Sequence, residues 1–372
     1  MNVLSSPSRS LTIFNNPDIV AKGWYLVCPS RELRIGHVQS FDLCGQRIAI
    51  FRGEDGQVRA LDAYCPHMGT DLGIGDVQGN QVRCFFHHWA FDGTGQCQDI
   101  PCQSQIPPGA RLQSYATAEK YGFIWVYPDA VAPTGVAEFD ELKGHQVVAQ
   151  ADRPLVRHCH HHICMMNGID VQHLQTVHHL SVNMSLSLER DAENNLIDFT
   201  LTGDLPDNTW RARLGRRLLG PSYSYSMRYA HGCLGLLTMM KDVKFIPPLH
   251  MLYAYVPLPG GETRVQPVYV TRKREGLLGW VISQLLLLLT RLCYYALRDE
   301  DGQIYDNIQF EPKTLLAIDA PLVEYIQYVN QLEPSRWSEI DKAELSGPHP
   351  KSLSQSWERD FEQSKFSVLK DL

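Results

Sequence analysis

Two short strings constrain this chain more than anything else in it. Cys65-Pro-His67-Met-Gly69 and Cys84-Phe-Phe-His87-His-Trp89 each carry one thiol and one imidazole, as C-x-H, sixteen residues, then C-x2-H. Gly69, Gly73 and Gly75 permit tight turns beside the first pair. Two metal centres could use these ligands. A single zinc ion would take all four tetrahedrally, although zinc fingers usually place like ligands in each half. A two-iron, two-sulfide cluster with thiolates on one iron and imidazoles on the other draws one ligand of each kind from both loops. Ten cysteines at irregular spacing in 372 residues also suit metal binding better than a disulfide framework.

The surrounding residues read as a small all-β module. Arg47-Ile-Ala-Ile-Phe-Arg52, a turn at Glu54-Asp-Gly56 and Val58 to Leu61 form a hairpin signal. Gly122-Phe-Ile-Trp-Val-Tyr127 is a continuous apolar strand stopped by Pro128, and Pro128 to Gly135 is the expected boundary. Beyond it, strands are expected in Val147–Ile163, Leu196–Leu201, Met227–Leu237 and His250–Val256. Helices are expected in Asn167–Leu180, Leu277–Leu297 and Pro321–Leu332. The fold class is therefore α+β, with an all-β domain over 21–128 and an α+β domain over 136–372. The net charge of −7 argues against a nucleic-acid partner, and the polar stretch Met1–Val20 does not read as a secretory signal, so a cytoplasmic protein is expected.

A second constellation lies past the boundary, in Asn167-Gly-Ile-Asp170-Val-Gln-His173-Leu-Gln-Thr-Val-His178. Asp170 and His173 share a helix face. His173 and His178 are five apart, which on an ideal helix leaves them about 140° around the axis from each other. They can reach one ion only if the helix breaks between Leu174 and Val177. Two imidazoles and a carboxylate on one face of Fe(II) leave positions open for dioxygen and substrate.

Together these motifs resemble the Rieske non-haem iron oxygenases. The run Ala60 to Leu72 followed by Cys84 to Asp92 is similar to their Rieske loops almost throughout. Met68 and His88 depart from the commoner Arg and Gly, in the direction of the ketosteroid-hydroxylase and cholesterol-desaturase branch. Thr70 and Phe86 stand where respiratory-type Rieske proteins carry extra cysteines. The resemblance implies a [2Fe–2S] cluster on Cys65, His67, Cys84 and His87, and a helix-grip-like catalytic domain with mononuclear Fe(II) on His173 and His178. Asp170 would bond the ring N–H of a ligand and link to a Rieske histidine of a neighbouring subunit. The third ligand is expected in Glu300-Asp301-Gly-Gln-Ile-Tyr-Asp306, with Asp301 first and Glu300 second. A terminal oxygenase is implied, acting with O2 on an apolar steroid, lipid or aromatic substrate as a homotrimer. The chain has neither a G-x-G-x-x-G fingerprint nor a C-x4-C-x2-C motif, so electrons would come from a ferredoxin or a flavin-dependent reductase. An electron carrier with a non-catalytic second domain is the alternative.

Two further features need a reading. His158, His160, His161 and His162 are expected to belong to a polar strand face and not to a metal site. Leu277–Leu297, interrupted by Gln284 and Arg291 and preceded by Arg272-Lys-Arg274, is expected as a buried helix whose leucines wall a greasy pocket. Membrane-surface association is left open.

Overall fold

The computed structural model describes residues 12–338 except 179–183, 205–212, 214–215, 218–219, 221, 242 and 244. The N-terminal part contains strands β1 (Tyr25–Pro29), β2 (His37–Leu43), β3 (Gln46–Arg52), β4 (Val58–Asp62), β5 (Asp76–Gln78), β6 (Gln81–Arg83), β7 (Ala90–Phe91), β8 (Cys97–Asp99), β9 (Ser114–Lys120) and β10 (Phe123–Tyr127). A six-stranded sheet runs β1-β10-β9-β4-β3-β2, and β5 to β8 form a small four-stranded sheet. Ile48 to Phe51 are fully buried, as is all of β10, which is why both read as unbroken apolar runs instead of alternating ones. The small sheet carries Cys84 in the turn between β6 and β7.

The second part contains β11 (Val147–Ala151), β12 (Leu155–Arg157), β13 (Met184–Asp191), β14 (Leu196–Asp204), β15 (Ser222–Ala230), β16 (Leu234–Met239), β17 (Leu249–Pro257) and β18 (Thr263–Arg272). They make one antiparallel sheet in the order β11-β18-β17-β16-β15-β14-β13, with β12 also paired to β18. On β14, buried Ile197, Phe199 and Leu201 alternate with less buried neighbours, so one face meets the core. Helices α1 (His161–Met166), α2 (Val171–Thr176), α3 (Gly276–Tyr305) and α4 (Ala320–Asn330) accompany the sheet. Helix α4 starts with proline in its first turn and buries Leu322, Tyr325, Tyr328 and Val329. The fold is α+β, as expected.

The two parts share one apolar cluster. Tyr25 and Trp125 from the first sheet and Trp24 just before it lie in it with Leu252, Val268 and Val270 from the second, and with Trp337 beyond α4.

Several elements differ from the sequence expectation. Val147–Ile163 is not one strand: Pro154 separates β11 from β12, and the chain then enters α1. Met227–Leu237 is two strands joined by a turn at His231-Gly232, both with positive φ (54° and 70°). Asn167–Leu180 divides into a 3-10 turn at Asn167–Ile169 and the short α2; its last two residues lie outside the described ones, as does 339–372 of the expected second domain. The acidic residues expected after the apolar helix are on it, because α3 continues to Tyr305.

Candidate metal centres and the pocket between sheet and helix

The two Cys/His loops are built alike. In each, the N–H four residues after the cysteine bonds back to the cysteine carbonyl: Gly69 to Cys65 at 2.9 Å and His88 to Cys84 at 3.0 Å. Those residues occupy the left-handed region, with φ of 76° and 59°. Glycine adopts it freely and histidine does so at a cost, which is the physical content of the His88 departure from the commoner glycine. Cys65 and Cys84 are buried beside each other, and burial pushes the Cys65 thiol up to about 11. His67 and His87 are exposed, with ring centroids 4.5 Å apart, and His67 stacks on Trp89 at 4.6 Å. Thiols thus pair with thiols inside and imidazoles with imidazoles outside. That sorting suits a two-iron cluster, whose irons take like ligands, and an apolar setting that raises a free thiol is relieved when metal holds the thiolate.

The second constellation closes around one point. Ligand atoms of His173, His178 and Asp301 all lie within 4.8 Å of one another. His178 Nε2 is 3.0 Å from Asp301 Oδ1, and His173 Nε2 is 3.8 Å from the same oxygen. The expected break is where the geometry needs it. Helix α2 ends at Thr176, and the N–H groups of Val177 (2.8 Å) and His178 (3.4 Å) both point to the His173 carbonyl. This i−5 contact widens the last turn and swings His178 toward His173, with ring centroids 5.1 Å apart.

Both imidazoles have their tautomer set from behind. His173 Nδ1–H donates to the Asp170 backbone carbonyl at 2.5 Å, and His178 Nδ1–H donates to Glu300 Oε2 at 2.7 Å. Each Nε2 lone pair is thereby left facing Asp301, as a metal ligand requires. Burial lowers the His173 pKa and raises that of Asp301, the latter opposed by the adjacent His178 and His173. A buried carboxylate facing two imidazole nitrogens is a setting that a divalent cation suits.

Asp170 departs from expectation. It contacts His173 through its main chain, while its carboxylate accepts from the N–H groups of Gln172 (2.9 Å) and His173 (3.3 Å) as the cap of α2. Glu300, the second candidate for third ligand, stands behind His178 and not beside the other two donors. Asn167 was missed: its amide Nδ2 lies 3.0 Å from Asp301 Oδ1 and 3.3 Å from His173 Nε2. Its only sequence signal is its place at the head of the motif.

The triad opens into a cavity of about 1100 Å³, counting its mouth, between the sheet and α3. Met227, Leu237, Met251, Tyr253 and Val265 line it from the sheet, and Tyr294 and Leu297 from α3. The wall is therefore made by the C-terminal turns of α3, while of the leucine run Leu286 and Leu287 pack on the sheet. Nor is α3 a buried helix: Leu277 is 80% exposed and Leu285 59%.

The clustered histidines were also misread. His160 caps α1, and His161 and His162 lie on it, all three buried. Their ring nitrogens fall within 4.8 Å of one another. However, His162 Nδ1 accepts from Asn15 N–H (3.1 Å) and His160 Nδ1 from His162 N–H (3.3 Å). Those bonds place the ring proton of both on Nε2, the reverse of the pattern at His173 and His178, and leave no lone pair there for a metal.

Comparison with known proteins agrees with this architecture. Residues 23–116 match the Rieske [2Fe-2S] domain family. The chain is 23% identical over 382 residues to a probable 3-ketosteroid-9-alpha-monooxygenase oxygenase component of Rhodococcus rhodochrous, covering 96% of this chain and 91% of that one. It is 35% identical over 170 residues to the cholesterol 7-desaturase of Bombyx mori, a stretch that spans 45% of this chain and 37% of that relative. Dicamba monooxygenase bound to 3,6-dichlorosalicylic acid shares the fold, with a TM-score of 0.61 at 18% identity over 84% of this chain and 97% of the other. Residues 23–116 therefore carry a Rieske-type domain, and the chain as a whole has the fold of the oxygenases it is compared with. It is a relative of the Rieske non-haem iron oxygenases, and among the relatives it resembles are steroid monooxygenase components and cholesterol desaturases.

Proposed function

We propose that this chain is the terminal oxygenase component of a Rieske system acting on an apolar substrate of the steroid, lipid or aromatic class. The observation that carries it is the His173/His178/Asp301 group opening into an apolar cavity, in one chain with the paired Cys65/Cys84 and His67/His87 loops. Cys65, Cys84, His67 and His87 would hold a [2Fe–2S] cluster and His173, His178 and Asp301 an Fe(II). When bound, these groups supply one-electron transfer and oxygen activation. The chain's own residues do the rest. Glu300 and the Asp170 carbonyl fix the two ring tautomers, and Asn167 steadies Asp301 by a hydrogen bond. Met251, Leu237 and Val265 exclude water and bind apolar surface. The relatives' names support hydroxylation or desaturation of a sterol skeleton, with oxidative demethylation a further outcome of the same site.

The exposed imidazole edges, rimmed by exposed Tyr64, Met68, Phe85 and Phe86, form an apolar apron suited to a protein electron donor or to a neighbouring subunit. The proposal includes a ferredoxin or flavin-dependent reductase as donor, a homotrimer, a cytoplasmic location, and the division at 21–128 and 136–372. Electron paramagnetic resonance of iron-loaded protein tests the core of it. A reduced-cluster signal together with an NO-responsive mononuclear Fe(II), and donor oxidation driven by sterols or aromatics, are expected. A cluster signal without the second iron would favour the electron-carrier alternative.

A further inference from the structure

Helix α3 carries an apolar stripe that the fold leaves uncovered among the described residues. Leu277, Val281, Leu285, Leu288 and Leu292 follow one another at steps of four and three and are 37–80% exposed, with Leu278, Trp280 and Ile282 exposed beside them. The opposite face, with Ser283, Leu286, Leu287 and Thr290, is buried on the sheet. From Leu277 to Leu292 the stripe is about 22 Å long. A helix that is apolar on both faces is not the pattern of a solvated surface helix. Helix α3 is long and apolar enough to cross a membrane. Crossing would tear Leu286 and Leu287 from the sheet and carry Asp301, on the same helix, away from His178.

The charges beside the stripe identify what it meets. Arg272 and Lys273, at the end of β18 just before the helix, are exposed, and with Arg274 they form no ion pair among the described residues. The acidic residues at the far end are engaged: Asp299 with Arg298 and Glu300 with His178. Three cations outnumber the exposed Glu275 beside them at one end of an exposed apolar stripe, with a tryptophan among its leucines, and this net positive end complements anionic headgroups above acyl chains.

We propose that α3 lies flat on an anionic lipid surface, seated by Leu277, Leu278, Trp280, Leu285 and Leu288 and steered by Arg272 and Lys273. The same helix walls the cavity with Tyr294 and Leu297. Resting on the reading of an apolar substrate, the inference adds that substrate passes from the bilayer along α3 into the cavity.

Flotation of the full iron-loaded chain with vesicles tests it, comparing phosphatidylcholine vesicles with and without phosphatidylserine. Binding to the anionic vesicles that weakens as salt rises is expected. Arg272→Gln/Lys273→Gln should lower partitioning roughly twenty-five-fold, at about five-fold per cation. Leu277→Ser/Leu285→Ser should abolish flotation while leaving cluster absorbance and turnover of detergent-solubilised substrate unchanged. Absence of flotation at low salt, or flotation indifferent to both double variants, overturns the proposal. So does a serine variant that changes the oligomeric state instead, because the stripe would then be an interface between copies. Detergent-solubilised turnover separates these failures from failure of the oxygenase reading.

Discussion

Glu300 and Asp301 are adjacent carboxylates near the end of α3, and the structure gives them different tasks that two substitutions separate. Asp301 faces both Nε2 atoms with 21% of its side chain exposed, whereas Glu300 reaches the far side of His178 with 48% exposed. Replacing an outer partner of a ligating histidine costs about 10- to 100-fold in metal affinity. Exposure lets water replace much of what Glu300 supplies, so Glu300→Gln should sit at the weak end, about ten-fold or 1.4 kcal/mol. Asp301→Asn removes a charged donor and leaves two neutral imidazoles, so binding should fall beyond the range of the same assay. Anaerobic Fe(II) competition against a chelator of known affinity measures both, with the cluster's visible absorbance as internal control. If Glu300→Gln loses iron as completely as Asp301→Asn, Glu300 is a ligand and the tautomer argument fails. If Asp301→Asn binds iron as the parent does, the triad is wrongly drawn.

Three other outcomes follow from the same geometry. Burial holds His160, His231 and His250 down to about 4, against about 6.5 in an unfolded chain, so the unfolded state takes up their protons first. Stability should be intact above pH 6.5 and decline as pH falls toward 4, by up to about 3 kcal/mol per group; equal denaturant midpoints at pH 7.5 and 5 would refute this. His178→Ala should abolish turnover while sparing the cluster's colour, and Cys84→Ser should do the reverse to the colour while leaving mononuclear Fe(II) in place, both read by absorbance and iron analysis. Leu237→Trp, which fills part of the cavity, should raise KM for a four-ring substrate at least about ten-fold and spare a single-ring one; equal effects on both would place the substrate elsewhere.

The legible parts were local. Cys65, His67, Cys84 and His87 announce themselves because both loops must present a thiol and an imidazole within a few residues, and the break after His173 follows from helix arithmetic alone. Asp301 lies 123 residues beyond His178 and was reached only through family likeness, as an expectation that the structure places beside His173 and His178, since nothing in the intervening chain encodes the approach of α3 to α2. Asn167 and the outer role of Glu300 depend on hydrogen bonds made after folding. The histidines at 160–162 were misread because a short helix buried all round has no apolar period to betray it, and valine-rich neighbours read as strand. Helix α3 was misjudged for the converse reason: leucines on both faces do not say which face the sheet covers.

The apolar cluster that joins Trp24 and Trp125 to Val268 and Trp337 binds the two halves into one thermodynamic body. Severed at the proline-rich connector, each fragment would present a large greasy wound to solvent. Heating the iron-loaded protein should therefore bleach the iron–sulfur chromophore and disperse the His173/His178/Asp301 pocket in a single concerted event.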